Sequence, residues 1–185
     1  MPSTTTSSGD SSARPTEIRF AVRESSLGHV LVALSDRGVC AILLGEDAEE
    51  LVAEVQRRFP DAALLGEDAE TEQAASDVVR FVENPCGSFD LPLDMRGTEF
   101  QLRVWDALRE IPPGTTQSYK TVAERIGAPT ATRAVAGACG ANSLAVVVPC
   151  HRVVRTDGGL SGYRWGTDRK AALIERERLC RAKQA

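Results

Sequence analysis

The sequence has 185 residues, 42% apolar and 26% charged, which accommodates one domain or two small ones and excludes a large multidomain assembly. No apolar run approaches the roughly 20 residues that cross a bilayer, so neither a transmembrane helix nor a membrane partner is expected. The net charge of −4 hides a split: residues 1–95 hold 7 Lys/Arg against 18 Asp/Glu, and residues 96–185 hold 15 against 8. A basic half suits a polyanion, whose condensed counterions are released when phosphates meet Lys and Arg; a plain solvated surface has the same composition.

Residues 1–16 are rich in Ser and Thr and lack an apolar core. They read as a disordered tail rather than a signal peptide, and a cytoplasmic location is expected. Residues 17–22 and 29–35 alternate or run apolar on either side of Ser25-Ser26-Leu27-Gly28, the pattern of a β-hairpin. A third strand at 39–44 follows Asp36-Arg37-Gly38 at turn spacing. Helical spacing puts Leu51, Val52, Val55 and Phe59 on one face over 48–59, and Ala74, Ala75, Val78, Val79 and Val82 on one face over 71–82. Residues 17–93 are thus expected to form a small α/β domain with an antiparallel sheet, and they carry no chemical constellation. Residues 89–93, with Pro92, read as a connecting strand.

Residues 94–185 are expected to form a second, mostly helical domain. Thr98 is placed to cap a helix running to about Arg109, which Ile111-Pro112-Pro113-Gly114 stops. Ser118 caps a helix to about Ile126, Gly127-Ala128-Pro129 turns the chain, and Thr130 opens a small, Ala-rich helix to about Cys139. Two short helices around a tight Gly-containing turn make a candidate helix-turn-helix. The second carries Arg133 among Ala131, Ala134, Ala136, Gly137 and Ala138; such sparse bulk permits close approach either to another surface or to a neighbouring helix. The five cysteines (Cys40, Cys86, Cys139, Cys150 and Cys180) form an odd set with no CxxC pair, and only His29 and His151 accompany them. Free thiols and no metal are expected.

Residues 144–148 form a short β-type run ending at Pro149, followed by Cys150, His151, Arg152, Val153 and Val154. A cysteine is nucleophilic as its thiolate, and a neighbouring base or a cation such as Arg152 lowers its pKa. Adjacent residues on a strand face opposite ways, so Cys150 and His151 pair only through irregular backbone, which Pro149 permits, or a bridging water. A histidine base is generally oriented by a carboxylate; Glu175 and Glu177 are both candidates that spacing does not separate.

Over residues 96–177 the sequence resembles the O6-alkylguanine-DNA alkyltransferases, the methylated-DNA–protein-cysteine methyltransferases, in the form found in bacteria. Pro149-Cys150-His151-Arg152-Val153 carries the resemblance most specifically. Ser118-Tyr119, Arg133-Ala134-Val135, Asn142 and Leu160-Ser161-Gly162-Tyr163-Arg164-Trp165-Gly166 support it. The resemblance implies a ribonuclease H-like fold for the first domain. It also implies irreversible transfer of the alkyl group from O6-alkylguanine in double-stranded DNA to Cys150, one group per molecule, with no cofactor.

By the same resemblance His151 takes the thiol proton through a water, Glu177 holds the imidazole, and Asn142 braces the turn that presents Cys150. Tyr119 serves the leaving guanine and touches the DNA backbone. The Ala-rich helix enters the minor groove through Thr130, Ala131, Ala134 and Gly137, and Arg133 fills the stack that the flipped base leaves. Val153, Tyr163 and Arg164 line the base pocket and Trp165 covers it, although ordinary core packing also accounts for Tyr163 and Trp165. A monomer, with cooperative assembly on DNA open, is expected. The zinc ligands of some animal members are missing, and only a short tail precedes Glu17, so no upstream regulatory domain is expected. A helix-turn-helix module without chemistry and a cysteine hydrolase are the rival readings. Neither accounts for Asn142, Cys150, His151 and Glu177 together with the Arg133-bearing helix.

Overall fold

β1 (Glu17–Ser25) and β2 (Gly28–Ser35) pair antiparallel around a tight turn in which Ser25 Oγ donates to the Gly28 carbonyl at 2.8 Å. β3 (Gly38–Gly45) adds antiparallel to β2. In this computed structural model residues 16–160 and 162–185 are described; the tail expected over 1–16 lies, but for Thr16, outside them, as does Ser161. Gly38 sits at φ 141°, and a Cβ there would lie 2.3 Å from the Pro92 carbonyl oxygen, so only glycine fits the turn.

α1 (Ala48–Arg58) is capped by the Asp47 carboxylate, which accepts from Glu50 N at 3.0 Å, and it buries Leu51 and Val55. α2 (Ala69–Glu83) is capped by Asp68 and buries Thr71, Ala74, Ala75, Val78 and Val82. α1 packs on β2 and β3, and α2 on β1 and β2. The central strand is covered on both faces, so Val30, Leu31, Val32, Ala33 and Leu34 are all buried and read as a continuous apolar run.

The sheet is not purely antiparallel, which corrects the expectation. A short β4 (Ala63–Leu65) pairs parallel to β1, giving the order β3-β2-β1-β4. Three residues are too few to show a period.

The outer edge of β3 is closed by two passing segments. Val39 N donates to Pro92 O at 2.9 Å and Asp94 N to Val39 O at 2.8 Å, so the connecting strand expected at 89–93 is reduced to a single bridge at Leu93. Ile42 N donates to Ser143 O at 2.7 Å and Ala145 N to Ile42 O at 3.0 Å. The strand expected at 144–148 is likewise one bridge, at Leu144, followed by a turn. Its apolar character comes from burial, not from extension.

α3 (Glu99–Arg109) opens on a capping box between Thr98 and Gln101, and Trp105 Nε1 donates to the Ala138 carbonyl at 2.8 Å. β5 (Gln117–Ser118) pairs parallel with β6 (Val153–Val154), which ties the start of the next helix to the cysteine segment. α4 (Tyr119–Arg125) is capped by Ser118. α5 (Thr132–Gly140) begins two residues after Thr130, because Ala131 N donates back to Ala128 O and closes a turn first. α6 (Thr167–Gln184) ends the chain and buries Lys170, Leu173 and Glu177. No helix among the described residues is long and apolar enough to cross a membrane.

The expectation of five free thiols is corrected. Cys86, in the loop after α2, and Cys180, near the end of α6, form a disulfide with Cα atoms 6.5 Å apart, while Cys40, Cys139 and Cys150 are free. A separation of 94 residues leaves no sign of this pairing in the spacing.

Candidate active site

Cys150, His151 and Arg152 form a single 3-10 turn (Cys150–Arg152), and all three are buried. With three residues per turn, neighbouring side chains diverge around an axis instead of facing opposite ways, so the irregular backbone anticipated at Pro149 is a helical turn.

Asn142, fully buried, organises the chain around it. Its Nδ2 donates to Val148 O at 2.9 Å and to Cys150 Sγ at 3.2 Å, and its Oδ1 accepts from Leu144 N at 2.8 Å. Within this turn Val146 adopts φ 70°, a left-handed conformation that costs a β-branched residue about 1–3 kcal/mol and persists only where its surroundings over-determine it.

His151 Nε2 lies 2.7 Å from Glu177 Oε1. A carboxylate there accepts Nε2–H and leaves Nδ1 as the lone-pair nitrogen, and Nδ1 is buried without a partner among the described residues. Glu177 also accepts from Arg152 Nε at 3.0 Å, Arg152 Nη2 at 2.8 Å and Gly114 N at 3.1 Å. Burial raises its pKa, but the bonds from His151 and Arg152 outweigh that and hold it at about 2. Glu175 is exposed and pairs with Arg178 at 2.8 Å, which leaves Glu177 as the imidazole's neighbour.

Burial pushes the Cys150 thiol up to about 11, with the Asn142 hydrogen bond and the Lys170 charge pulling it partly back. Burial also lowers His151, against the pull of Glu177. At rest Cys150 is therefore a neutral thiol and His151 a neutral imidazole. Arg152 does not serve Cys150 as the sequence suggested, because its guanidinium is taken by Glu177 and by the Ile111 carbonyl at 2.5 Å.

The cations that favour the thiolate are Lys170 and, more weakly, Arg164; the sequence reading missed Lys170. It is fully buried, donates to the Val153 carbonyl at 2.5 Å, and lies 5.8 and 5.7 Å from the ring centres of Tyr119 and Tyr163. A signal was available: Lys170, Leu173 and Glu177 share one face of α6 at i, i+3 and i+7.

Tyr119, the first residue of α4, is half-buried; burial, then the nearness of Cys139 and Cys150, pushes its phenol up to about 12. Tyr163 and Trp165 are buried edge to face with centroids 5.4 Å apart, and the Tyr163 hydroxyl has no partner among the described residues. Val153 is fully buried, with its carbonyl held by Lys170. Arg164 points away, pairing with Glu54 of α1 and donating to the Gly140 carbonyl at 2.8 Å. On α5, Arg133, Ala134, Ala136 and Gly137 are exposed while Val135, Ala138 and Cys139 face inward; Thr130 is exposed and Ala131 half-buried just before it. A Cβ at Gly137 would meet nothing within 4 Å. Among the described residues no cluster of three or more His, Cys, Asp or Glu is placed to hold a metal ion.

Residues 99–179 match the family described as 6-O-methylguanine DNA methyltransferase, DNA binding domain. The chain is 52% identical over 160 residues to the bifunctional transcriptional activator/DNA repair enzyme Ada of Escherichia coli, a match covering 86% of this chain and 45% of that protein. It thus spans about half the length of that relative. It is 42% identical over 130 residues to the inducible methylated-DNA–protein-cysteine methyltransferase of Bacillus subtilis, covering 70% of this chain and 73% of that one. The crystal structure of OGT from Mycobacterium tuberculosis in complex with DNA superimposes with a TM-score of 0.72 at 34% identity, covering 88% of this chain and 93% of that one. A relative 42% identical and a solved structure 34% identical, each matched over most of its own length, place the chain in the methylated-DNA–protein-cysteine methyltransferase family.

Proposed function

We propose that the protein repairs DNA by direct reversal, moving the alkyl group of O6-alkylguanine in double-stranded DNA to Cys150, once per molecule and without a cofactor. The observation that carries this reading is a buried free thiol at Cys150, held by the Asn142 side chain and followed directly in sequence by His151, whose imidazole is bound by Glu177, in a chain of this family.

Cys150 Sγ attacks the alkyl carbon in line with its bond to O6; the S–C bond forms and the C–O electron pair leaves with the guanine. The thiol proton passes through one water to Nδ1 of His151, and the resulting imidazolium is held by the Glu177 carboxylate, in the manner of a hydrolase triad with sulfur as nucleophile. The leaving guanine takes a proton from the Tyr119 hydroxyl, which is re-protonated from solvent. A resting thiol near 11 is slow toward stray electrophiles. It reacts when a base is seated beside His151.

A stacked base cannot present its O6 substituent to a buried thiol, so the nucleotide flips out of the duplex. In this reading α4 and α5 are a helix-turn-helix whose exposed Arg133, Ala134 and Gly137, with Thr130 and Ala131, enter the minor groove, Arg133 filling the vacated stack. Val153, Tyr163 and Trp165 surround the base. Residues 17–93 form a ribonuclease H-like scaffold and 94–185 the transfer domain of a cytoplasmic monomer.

The test is intact-protein mass after incubation with a duplex carrying one O6-methylguanine. A gain of one methyl group mapped to Cys150, absent in Cys150→Ala and with undamaged duplex, supports the reading. Preferential binding to the damaged duplex with no change in mass would make the protein a lesion sensor instead.

A further inference from the structure

Cys150 is 3% exposed; Tyr163, close enough to feel the Cys150 charge, is 8% exposed, and Trp165, packed edge to face on Tyr163, is 6% exposed. Both aromatic residues lie on segment 162–166, which is bracketed by Gly162 at φ 90° and Gly166 at φ 98°, left-handed turns that glycine allows at either end of its packed middle. Arg164, between the two aromatic residues, is the segment's polar anchor. One of its nitrogens holds the Gly140 carbonyl at the end of α5, and another holds the Glu54 carboxylate.

Glu54 belongs to α1, in the half of the chain that carries none of the reacting groups. Its Oε1 also accepts from Arg58 Nε at 2.9 Å, and Arg58 Nη1 in turn donates to the Ser143 hydroxyl, beside Asn142. One carboxylate therefore ties both the aromatic segment and the Asn142 turn to the scaffold helix. Burial works against its charge, but Arg57, Arg58 and Arg164 hold its pKa at about 2, so the anchor stays charged across the working pH range.

We propose that Glu54 is a positioning residue for alkyl transfer, keeping segment 162–166 closed over Cys150 through Arg164. The inference deepens the alkyl-transfer reading and rests on it for its purpose: a thiol used once is wasted by any adventitious electrophile, and the closed segment excludes these until a flipped base displaces it. The geometry also gives the acidic half of the chain a part in the chemistry of the basic half.

The test is the rate at which iodoacetamide labels Cys150 without DNA, mapped by peptide mass, in wild type, Glu54→Gln, Arg164→Gln and the double variant, with melting temperature recorded for each. An ion pair of this partial exposure shifts a closing equilibrium by about two- to fivefold. Either single variant should label faster by about that factor, the double variant no faster than Arg164→Gln alone, and Arg57→Gln, which removes only the outer partner, at the wild-type rate. Additive acceleration in the double variant, or wild-type labelling in both folded single variants, would overturn the proposal. Methyl transfer from a damaged duplex to the wild type, measured in parallel, reports separately on the function itself.

Discussion

Arg152 and His151, consecutive in sequence, both bind the one Glu177 carboxylate, at 2.8 and 2.7 Å. The arginine thereby supports the base and not the nucleophile. Glu177→Gln removes the charge that stabilises the imidazolium and strands the buried guanidinium. Methyl transfer should slow by about 10²–10⁴-fold, and breaking one side of the buried pair should cost about 3–5 kcal/mol. Single-turnover kinetics and denaturant unfolding check the two effects.

The same cluster sets the acid stability. His151 and Glu177 both have folded pKa values below their unfolded ones, so each contributes stability that is present at higher pH and lost on acidification. The His151 contribution should fade as pH falls below about 6.5, and that of Glu177 between about 4.5 and 2. Melting temperature against pH should decline in two stages, and Glu177→Gln should lack the second.

Lys170→Met should separate function from stability. Losing the buried ammonium removes a cation that favours the Cys150 thiolate, so the thiol pKa should rise above about 11 and methyl transfer should fall, by about tenfold for each unit of pKa if thiolate formation limits the rate. Burial disfavours the Lys170 charge, which offsets the orphaned Val153 carbonyl, and the melting temperature should move by less than about 4 °C. A large drop in stability with unchanged transfer would invert this assignment.

Alkylation adds a carbon to a site that is 3% exposed. Overpacking of that kind costs about 1–3 kcal/mol, and the Asn142 Nδ2 contact with the sulfur is disturbed as well. Fully methylated protein should melt lower than unused protein in scanning calorimetry. An unchanged melting temperature would mean that the pocket already has room for the group.

The disulfide between Cys86 and Cys180 closes a loop of 94 residues and joins the scaffold to α6 near Glu177. Reduction, or Cys86→Ser, should lower stability by about 2–4 kcal/mol through the larger entropy of the unfolded chain. Transfer to Cys150 should persist, because both sulfurs meet Glu177 only at its backbone carbonyl, and the Glu177 carboxylate keeps its bonds to His151, Arg152 and Gly114.

What was legible in the sequence followed from local physics. The caps at Thr98 and Ser118 and the apolar faces of α1 and α2 need only neighbouring residues, and the observed elements start within a residue or two of where those signals stand. What was hidden depended on distant partners. The turn at 144–148 looks like a strand because burial and extension both select Val, and the Asn142 side chain decides between them. Arg152 reads as a thiol activator until Glu177, 25 residues on, claims it. Lys170 reads as one more surface charge until α6 is seen to turn it inward.

The turn that presents Cys150 has a second task, because its first residues also close the sheet: Ile42 exchanges hydrogen bonds with Ser143 and Ala145 along the outer edge of β3. Any swelling at the sulfur that displaces this turn uncovers a strand edge able to pair with another chain. The residues that hold Cys150 in place and those that close the sheet edge are thus the same few, so the integrity of the sheet and the setting of the sulfur stand or fall together.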